Sequence, residues 1–198
     1  MQGGEILNKR VVYDIKRRFI FLNGDIRFIT FTLVENAVKK LQSHNSKKPI
    51  NFFINTEGGD FYASLQIYQL LKRTPVKFNT IAVDFANSGG FLILEAGDKR
   101  FAAGKETTFG FHRAKETHGS IDMLFKETNN DINAQILSAC LQELLLIDAQ
   151  QIIIFSEKGR PISKVKSLFL KNTEISAKQA LKLNLIDGIL PKSKVPKI

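Results

Sequence analysis

Apolar residues fall into short runs with two spacings, and the alternation between them predicts the architecture. Residues 11–15 and 19–22 are compact apolar runs that predict strands, the second closing at the turn Asn23-Gly24-Asp25. Thr32-Leu33-Val34-Glu35 has the capping-box pattern and predicts a helix to about Leu41. After the loop Asn45-Ser46-Lys47-Lys48-Pro49, residues 50–55 predict a strand, and Thr56-Glu57-Gly58-Gly59-Asp60 a tight turn. Residues 63–72 carry Leu65, Tyr68 and Leu71 near helical spacing. A strand over 81–85 meets a corner of small residues around Ser88, and a helix follows to Ala96. A turn at Gly97-Asp98 leads to Arg100-Phe101-Ala102-Ala103, and residues 107–112 predict a strand ending at His112.

Beyond Gly119 the pattern lengthens. Ile121, Leu124, Phe125, Ile132, Ile136, Cys140, Leu144 and Ile147 recur at i+3/i+4 intervals, predicting a long helix. Its apolar surface exceeds what one small sheet can cover, so part of it is expected to meet another copy of the chain. Gly159-Arg160-Pro161 interrupts the pattern, and residues 163–170 predict a short helix. Ser176-Ala177-Lys178-Gln179 is a second capping box opening a helix to about Leu183, and residues 186–190 predict a closing strand. Strands alternating with helices at these spacings imply an α/β protein built on a parallel sheet. Functional groups in such sheets gather at strand ends, and Gly58-Gly59, Ser88 and His112 each follow a predicted strand.

The chain has 198 residues and 43% apolar content, which suits a single soluble domain over residues 1–198 with no linker or internal repeat. One cysteine excludes an internal disulfide. Met1-Gln2-Gly3-Gly4-Glu5 carries no apolar signal region and no run approaches a membrane span, so a cytoplasmic protein with no membrane partner is expected. The net charge of +10 raises nucleic acid as a partner. The basic residues are scattered, however, and Phe residues lie in apolar runs rather than among lysines, so no base-stacking surface is visible. No nucleic-acid partner is expected. No His/Cys cluster has metal-ligand spacing, and no cofactor is expected.

Two roles suit Ser88. At the end of a strand and the positive end of a helix, beside two glycines, its hydroxyl is placed as a nucleophile would be. It equally suits a plain helix N-cap. His112 is either a general base or a core histidine completing its strand. His44 and His118 lie in polar sequence and read as surface residues, and Cys140 reads as a core thiol.

Several of these segments resemble the proteolytic subunit of the Clp protease and its relatives, from about Val12 to Leu190. Tyr13-Asp14-Ile15 and Ile20-Phe21-Leu22-Asn23-Gly24 are similar to the family's opening segment, and Ile54-Asn55-Thr56-Glu57-Gly58-Gly59 to its Ile-Asn-Ser-Pro-Gly-Gly turn. Ala86-Asn87-Ser88-Gly89-Gly90-Phe91 falls on the segment with the nucleophilic serine. Ala96-Gly97-Asp98-Lys99-Arg100 and Phe109-Gly110-Phe111-His112 fall on those leading to the histidine, and Ser176-Ala177 through Leu185-Ile186-Asp187 on the closing helix and strand. The resemblance implies a Clp-peptidase/crotonase spiral of βαβ units with a long handle helix over about 120–157. It implies a serine endopeptidase acting on peptides or unfolded chains, with Ser88 as nucleophile, His112 as general base and an oxyanion hole from the Gly59 and Gly89 N–H groups. It also implies a homo-oligomeric ring.

Three departures stand out. The family's spacing puts Asn172 where the third, aspartate, member of the triad belongs. Gly89 replaces the usual bulky residue after the serine. The chain between Ile15 and Ile20 is short, so the first helix and axial loops that engage an AAA+ unfoldase are expected to be missing, which counts against that partner. The stretch between His112 and Gly159 is longer than usual. Two alternatives follow: a catalytically weak or inactive ring subunit, and a crotonase-like acyl-CoA enzyme sharing a paired N–H hole.

Overall fold

The computed structural model describes residues 4–8, 10–44, 47–113, 131–157 and 160–197. The chain is a mixed α/β protein, compatible with the Clp-peptidase/crotonase type. It divides into two compact units, one of Met1–Phe111 with Thr173–Ile198 and the other of His112–Asn172.

The first unit opens with three antiparallel strands, β1 (Gly4–Asn8), β2 (Val11–Asp14) and β3 (Phe19–Asn23). From β3 the sheet continues in parallel through β4 (Ile50–Thr56), β5 (Phe78–Ala86), β6 (Lys99–Ala102) and β9 (Gly188–Ile189). A short antiparallel ladder of β7 (Thr108–Gly110) and β8 (Glu174–Ser176) hangs from the far end of β5 through Phe85 and Thr108. Helices α1 (Phe28–His44), α2 (Phe61–Arg73) and α3 (Gly89–Glu95) are the crossovers, and α6 (Ala177–Lys182) precedes β9.

The central strands β3 and β4 are buried nearly throughout rather than alternating, the pattern of strands covered on both faces. Phe19, Phe21, Phe53, Ile81, Val83 and Ala103 form one cluster, with Leu190 and Val195 packed against it. The intervening Phe52 and Ile54 are fully buried, as are Val34 and Leu41 of α1, Ile67 of α2 and Phe91, Leu92, Ile93 and Leu94 of α3. Every residue of α3 is buried, so the helix after Ser88 is a core element.

A buried charge group closes the far edge of the sheet. Arg100 of β6 donates through Nη1 to Glu95 Oε2 at 3.0 Å, and through Nε and Nη2 to Asp187 at 3.1 and 2.8 Å. The Arg100 and Glu95 side chains are 3% and 2% exposed. Burial by itself lowers the Arg100 pKa; the Asp187 hydrogen bond and the charges of Glu95 and Asp187 outweigh it, and the net direction is upward.

In the second unit, α4 (Asp131–Ser156) and α5 (Ile162–Leu170) pack together, with Phe155 against Phe169 at 5.2 Å between ring centres. Of the stretch expected to be one long helix, the described part is helical over Asp131–Ser156; Ile121, Leu124, Phe125, His118 and Gly159 lie outside the described residues. Among the described residues no helix is long and apolar enough to cross a membrane.

Several boundaries differ from expectation. α1 starts at Phe28, ahead of Thr32, because Thr30 closes the first turn from within: its hydroxyl accepts from Arg27 N–H at 3.0 Å. Strand β1 had no signal in its sequence. β7 stops at Gly110, leaving His112 beyond the ladder, and the closing strand shrinks to Gly188–Ile189 while Asp187 turns to Arg100. The second capping box forms in full, Ser176 Oγ accepting from Gln179 N–H and Gln179 accepting from Ser176 N–H.

Candidate active site

The corner at Ser88 is built by conflict between a strand and a helix. β5 ends at Ala86 and α3 begins at Gly89, leaving two residues to reverse the chain. Ser88 absorbs the reversal with φ 51° and ψ −120°, a conformation that side-chain-bearing residues rarely adopt. Its side chain makes no capping hydrogen bond. The simple cap is therefore excluded as the reason for a serine here, and the half-buried hydroxyl is left at the tip of a strained strand-to-helix corner.

Neighbouring groups hold the strain in place. Ser88 N–H donates to Gly110 O at 2.9 Å, and Gly110 N–H donates back to Asn87 Oδ1 at 2.6 Å. Asn87 Nδ2 donates to Glu57 Oε2 at 2.7 Å. Asn87, 9% exposed, thus pins the corner to β7 on one side and to the Gly58-Gly59 turn on the other. Sequence reasoning quoted Asn87 and Glu57 within motifs but gave them no task.

The glycine turn touches the corner directly. Gly58 has φ 105°, and a methyl group on it would lie 2.8 Å from Ser88 Cβ and 3.0 Å from Gly89 N. Gly59, at φ 138°, presses on the backbone of Ile26, where a Cβ would run into the Ile26 carbonyl. Ile26 N–H donates to Gly58 O at 2.8 Å and Asp60 N–H to Ile26 O at 2.9 Å, which locks the turn and leaves the Gly59 N–H out of the pairing. The Gly89 N–H is the first of a helix, where no carbonyl precedes it in register. Among the described residues neither N–H meets a protein acceptor. Gly89 also has a local cause: a side chain there would strike the Ser64 hydroxyl, which donates to Asp60 O at 2.7 Å. That steric limit accounts for the missing bulky residue.

The structure thus brings Gly59, Ser88 and Gly89 together in the first unit. His112 and Asn172 are the two ends of the second. Half-buried His112 makes a 2.7 Å hydrogen bond from Nδ1 to the carbonyl of Arg113. Since a carbonyl can only accept, Nδ1 carries the proton and Nε2 the lone pair of the neutral ring. Arg113 Nε donates to Asp148 Oδ2 at 2.9 Å. Asn172 follows α5 with φ 46°, its N–H donating to Phe169 O at 3.1 Å. This is a left-handed helix stop, a position where asparagine is favoured after glycine. Backbone geometry alone therefore accounts for the residue type. His44 is exposed at the end of α1, and the Cys140 side chain lies outside the described residues.

Among the described residues, no group of three or more His, Cys, Asp or Glu side chains could hold a metal ion. The first unit offers instead a half-buried serine hydroxyl with two N–H donors in the adjoining backbone, and the second a histidine whose Nδ1 is hydrogen-bonded to a carbonyl. The family model for Clp protease matches residues 3–193, nearly the whole sequence. The chain therefore belongs to the Clp protease family and is a peptidase.

Proposed function

We propose that the chain is a serine endopeptidase that cleaves peptides or unfolded chains, with Ser88 as nucleophile and His112 as general base. The observation that carries this reading is the Ser88 corner: a strained serine, uncommitted to capping, packed against the Gly58-Gly59 turn, with the Gly59 and Gly89 N–H groups meeting no protein acceptor among the described residues. His112 takes the Ser88 proton as the hydroxyl attacks the scissile carbonyl. The oxyanion accepts hydrogen bonds from Gly59 and Gly89, whose rigid backbone costs no reorganisation as charge develops. His112 then protonates the leaving amine, and water repeats the cycle on the acyl-enzyme. Chain connectivity supports the pairing. Ser88 N–H is bonded to Gly110, two residues before His112, and Phe111 N–H bonds Thr173 O at 2.8 Å, one residue before His112 and after Asn172. An extended substrate would lie along a strand edge by β-augmentation.

A fluorophosphonate probe should add one phosphonyl group, and peptide mapping should place it on Ser88. Absence of an adduct, or an adduct elsewhere, would sink the assignment. It also separates this reading from an acyl-CoA enzyme, which has no use for an activated serine.

Asn172 sets the expected rate. A neutral side chain supplies no charge to the imidazolium, whereas a carboxylate about 4 Å away is worth roughly 4 kcal/mol at an effective dielectric of about 20. Asn172→Asp is therefore expected to raise peptide hydrolysis at least about tenfold, and the left-handed backbone accepts aspartate. An unchanged rate would remove Asn172 from the triad. An activity near zero in the parent, restored by this change, would favour the inactive ring subunit.

We also propose a homo-oligomeric ring. Leu141, Leu145, Leu146 and Ile153 of α4 are exposed at helical spacings, an apolar face suited to a second copy of the chain. Light scattering at micromolar concentration should show a multiple of the 22.3 kDa chain; a monodisperse monomer counts against a ring.

A further inference from the structure

Within the second unit, the hydrogen bond at His112 leads by way of Arg113 to α4. The ring's Nδ1–H is held by the carbonyl of the next residue, Arg113, so its direction depends on the backbone at that residue. Nothing in the ladder fixes that backbone, since β7 ends at Gly110. The Arg113 side chain does so from outside. It is half-exposed, and its guanidinium meets the Asp148 carboxylate, only 12% exposed, at 2.9 Å. Asp148 stands within α4 beside buried Ile147 and is itself buried.

We propose that Asp148 is a positioning residue for His112. It acts through Arg113, holding that residue's carbonyl where it keeps the imidazole proton on Nδ1 and leaves Nε2 free to accept the serine proton. This rests on the reading of His112 as general base. It divides the usual task of a triad carboxylate in two. Orientation and tautomer come from Asp148 by way of a main-chain carbonyl; negative charge is not delivered, because Arg113 neutralises it. Asn172, committed to a left-handed helix stop, is relieved of the orienting part.

The tautomer can be read directly by ¹⁵N NMR of the ring nitrogens in the intact chain at about pH 8.5. A His112→Gln variant identifies the signals. In the parent protein His112 should show the Nδ1–H form. In Asp148→Ala the signals should move toward those of a free side chain, in which the Nε2–H form is commoner. The rate of fluorophosphonate labelling should fall about tenfold, through misplacement of the base. Arg113→Gln, which keeps the carbonyl and changes an exposed side chain, should give the same two changes and serves if Asp148→Ala does not fold. The double variant should be no worse than either single one, and Asp148→Glu should restore part of the loss. An Nε2–H form in the parent, an unchanged tautomer in both single variants, or additive losses in the double variant would overturn the proposal. A tautomer that responds to Asp148 in a protein that never labels would uphold the positioning contact and overturn the serine-peptidase reading instead.

Discussion

Ser88→Gly is expected to yield a protein that is inactive and more stable than its parent. At φ 51° and ψ −120° a residue with a side chain carries about 1–3 kcal/mol of backbone strain, and glycine adopts the same angles freely. Glycine's looser unfolded chain takes back about 0.4–1 kcal/mol. A net gain of about 1 kcal/mol raises the melting temperature by about 2–4 °C in a chain of this size. Activity should meanwhile collapse, since loss of a serine peptidase's nucleophile lowers kcat by about 10⁶. Ser88→Ala separates the two effects: it is equally inactive but keeps the strain, so its melting temperature should stay near the parent's. A Ser88→Gly protein that melts below the parent would mean the corner is not strained, and one that still hydrolyses peptides would mean the nucleophile is another residue.

Arg100→Leu should destabilise the first unit most of all single changes away from the site. It strands the Glu95 carboxylate, 2% exposed, without its cation, and breaking one side of a buried ion pair costs about 3–5 kcal/mol. Whole domains are stable by only about 5–15 kcal/mol, so the melting temperature should fall by roughly 6–20 °C or the variant should fail to accumulate. Adding Glu95→Leu should recover much of the loss, because the penalty lies in keeping a carboxylate buried without Arg100 rather than in the missing bond. A double variant as unstable as the sum of its parts would show that shape, not charge, governs this site.

The features legible in the sequence were those whose cause is local. Ser176 and Gln179 satisfy each other within one turn, so their pattern predicted a cap that forms in full. The order of strands and helices, and the convergence of Gly59 and Ser88 at strand ends, followed from spacing. What stayed hidden depends on partners distant in the chain. Strand β1 carries Gly4 and Glu5, residues with little strand preference, and exists by pairing with β2. The start of α1 was obscured because Phe28 and Ile29 are 71% and 48% exposed, so they fit no buried stripe. Whether Ser88 caps its helix is a matter of torsion angles that its neighbours impose, and the link from His112 to Asp148 joins residues with no shared motif.

The Arg100–Asp187 contact spans 87 residues, with all of α4 and α5 between its partners, and this sets a timetable for synthesis. A ribosome adding about 5–20 residues per second delivers Asp187 about 4–17 s after Arg100. During that interval the nascent chain holds a guanidinium without its main acceptor and a β6 edge still waiting for β9. An open parallel edge is a template for pairing with a neighbouring nascent chain on the same message. Synonymous codons that slow translation between residues 100 and 187 would therefore be expected to lower soluble yield without altering the finished protein.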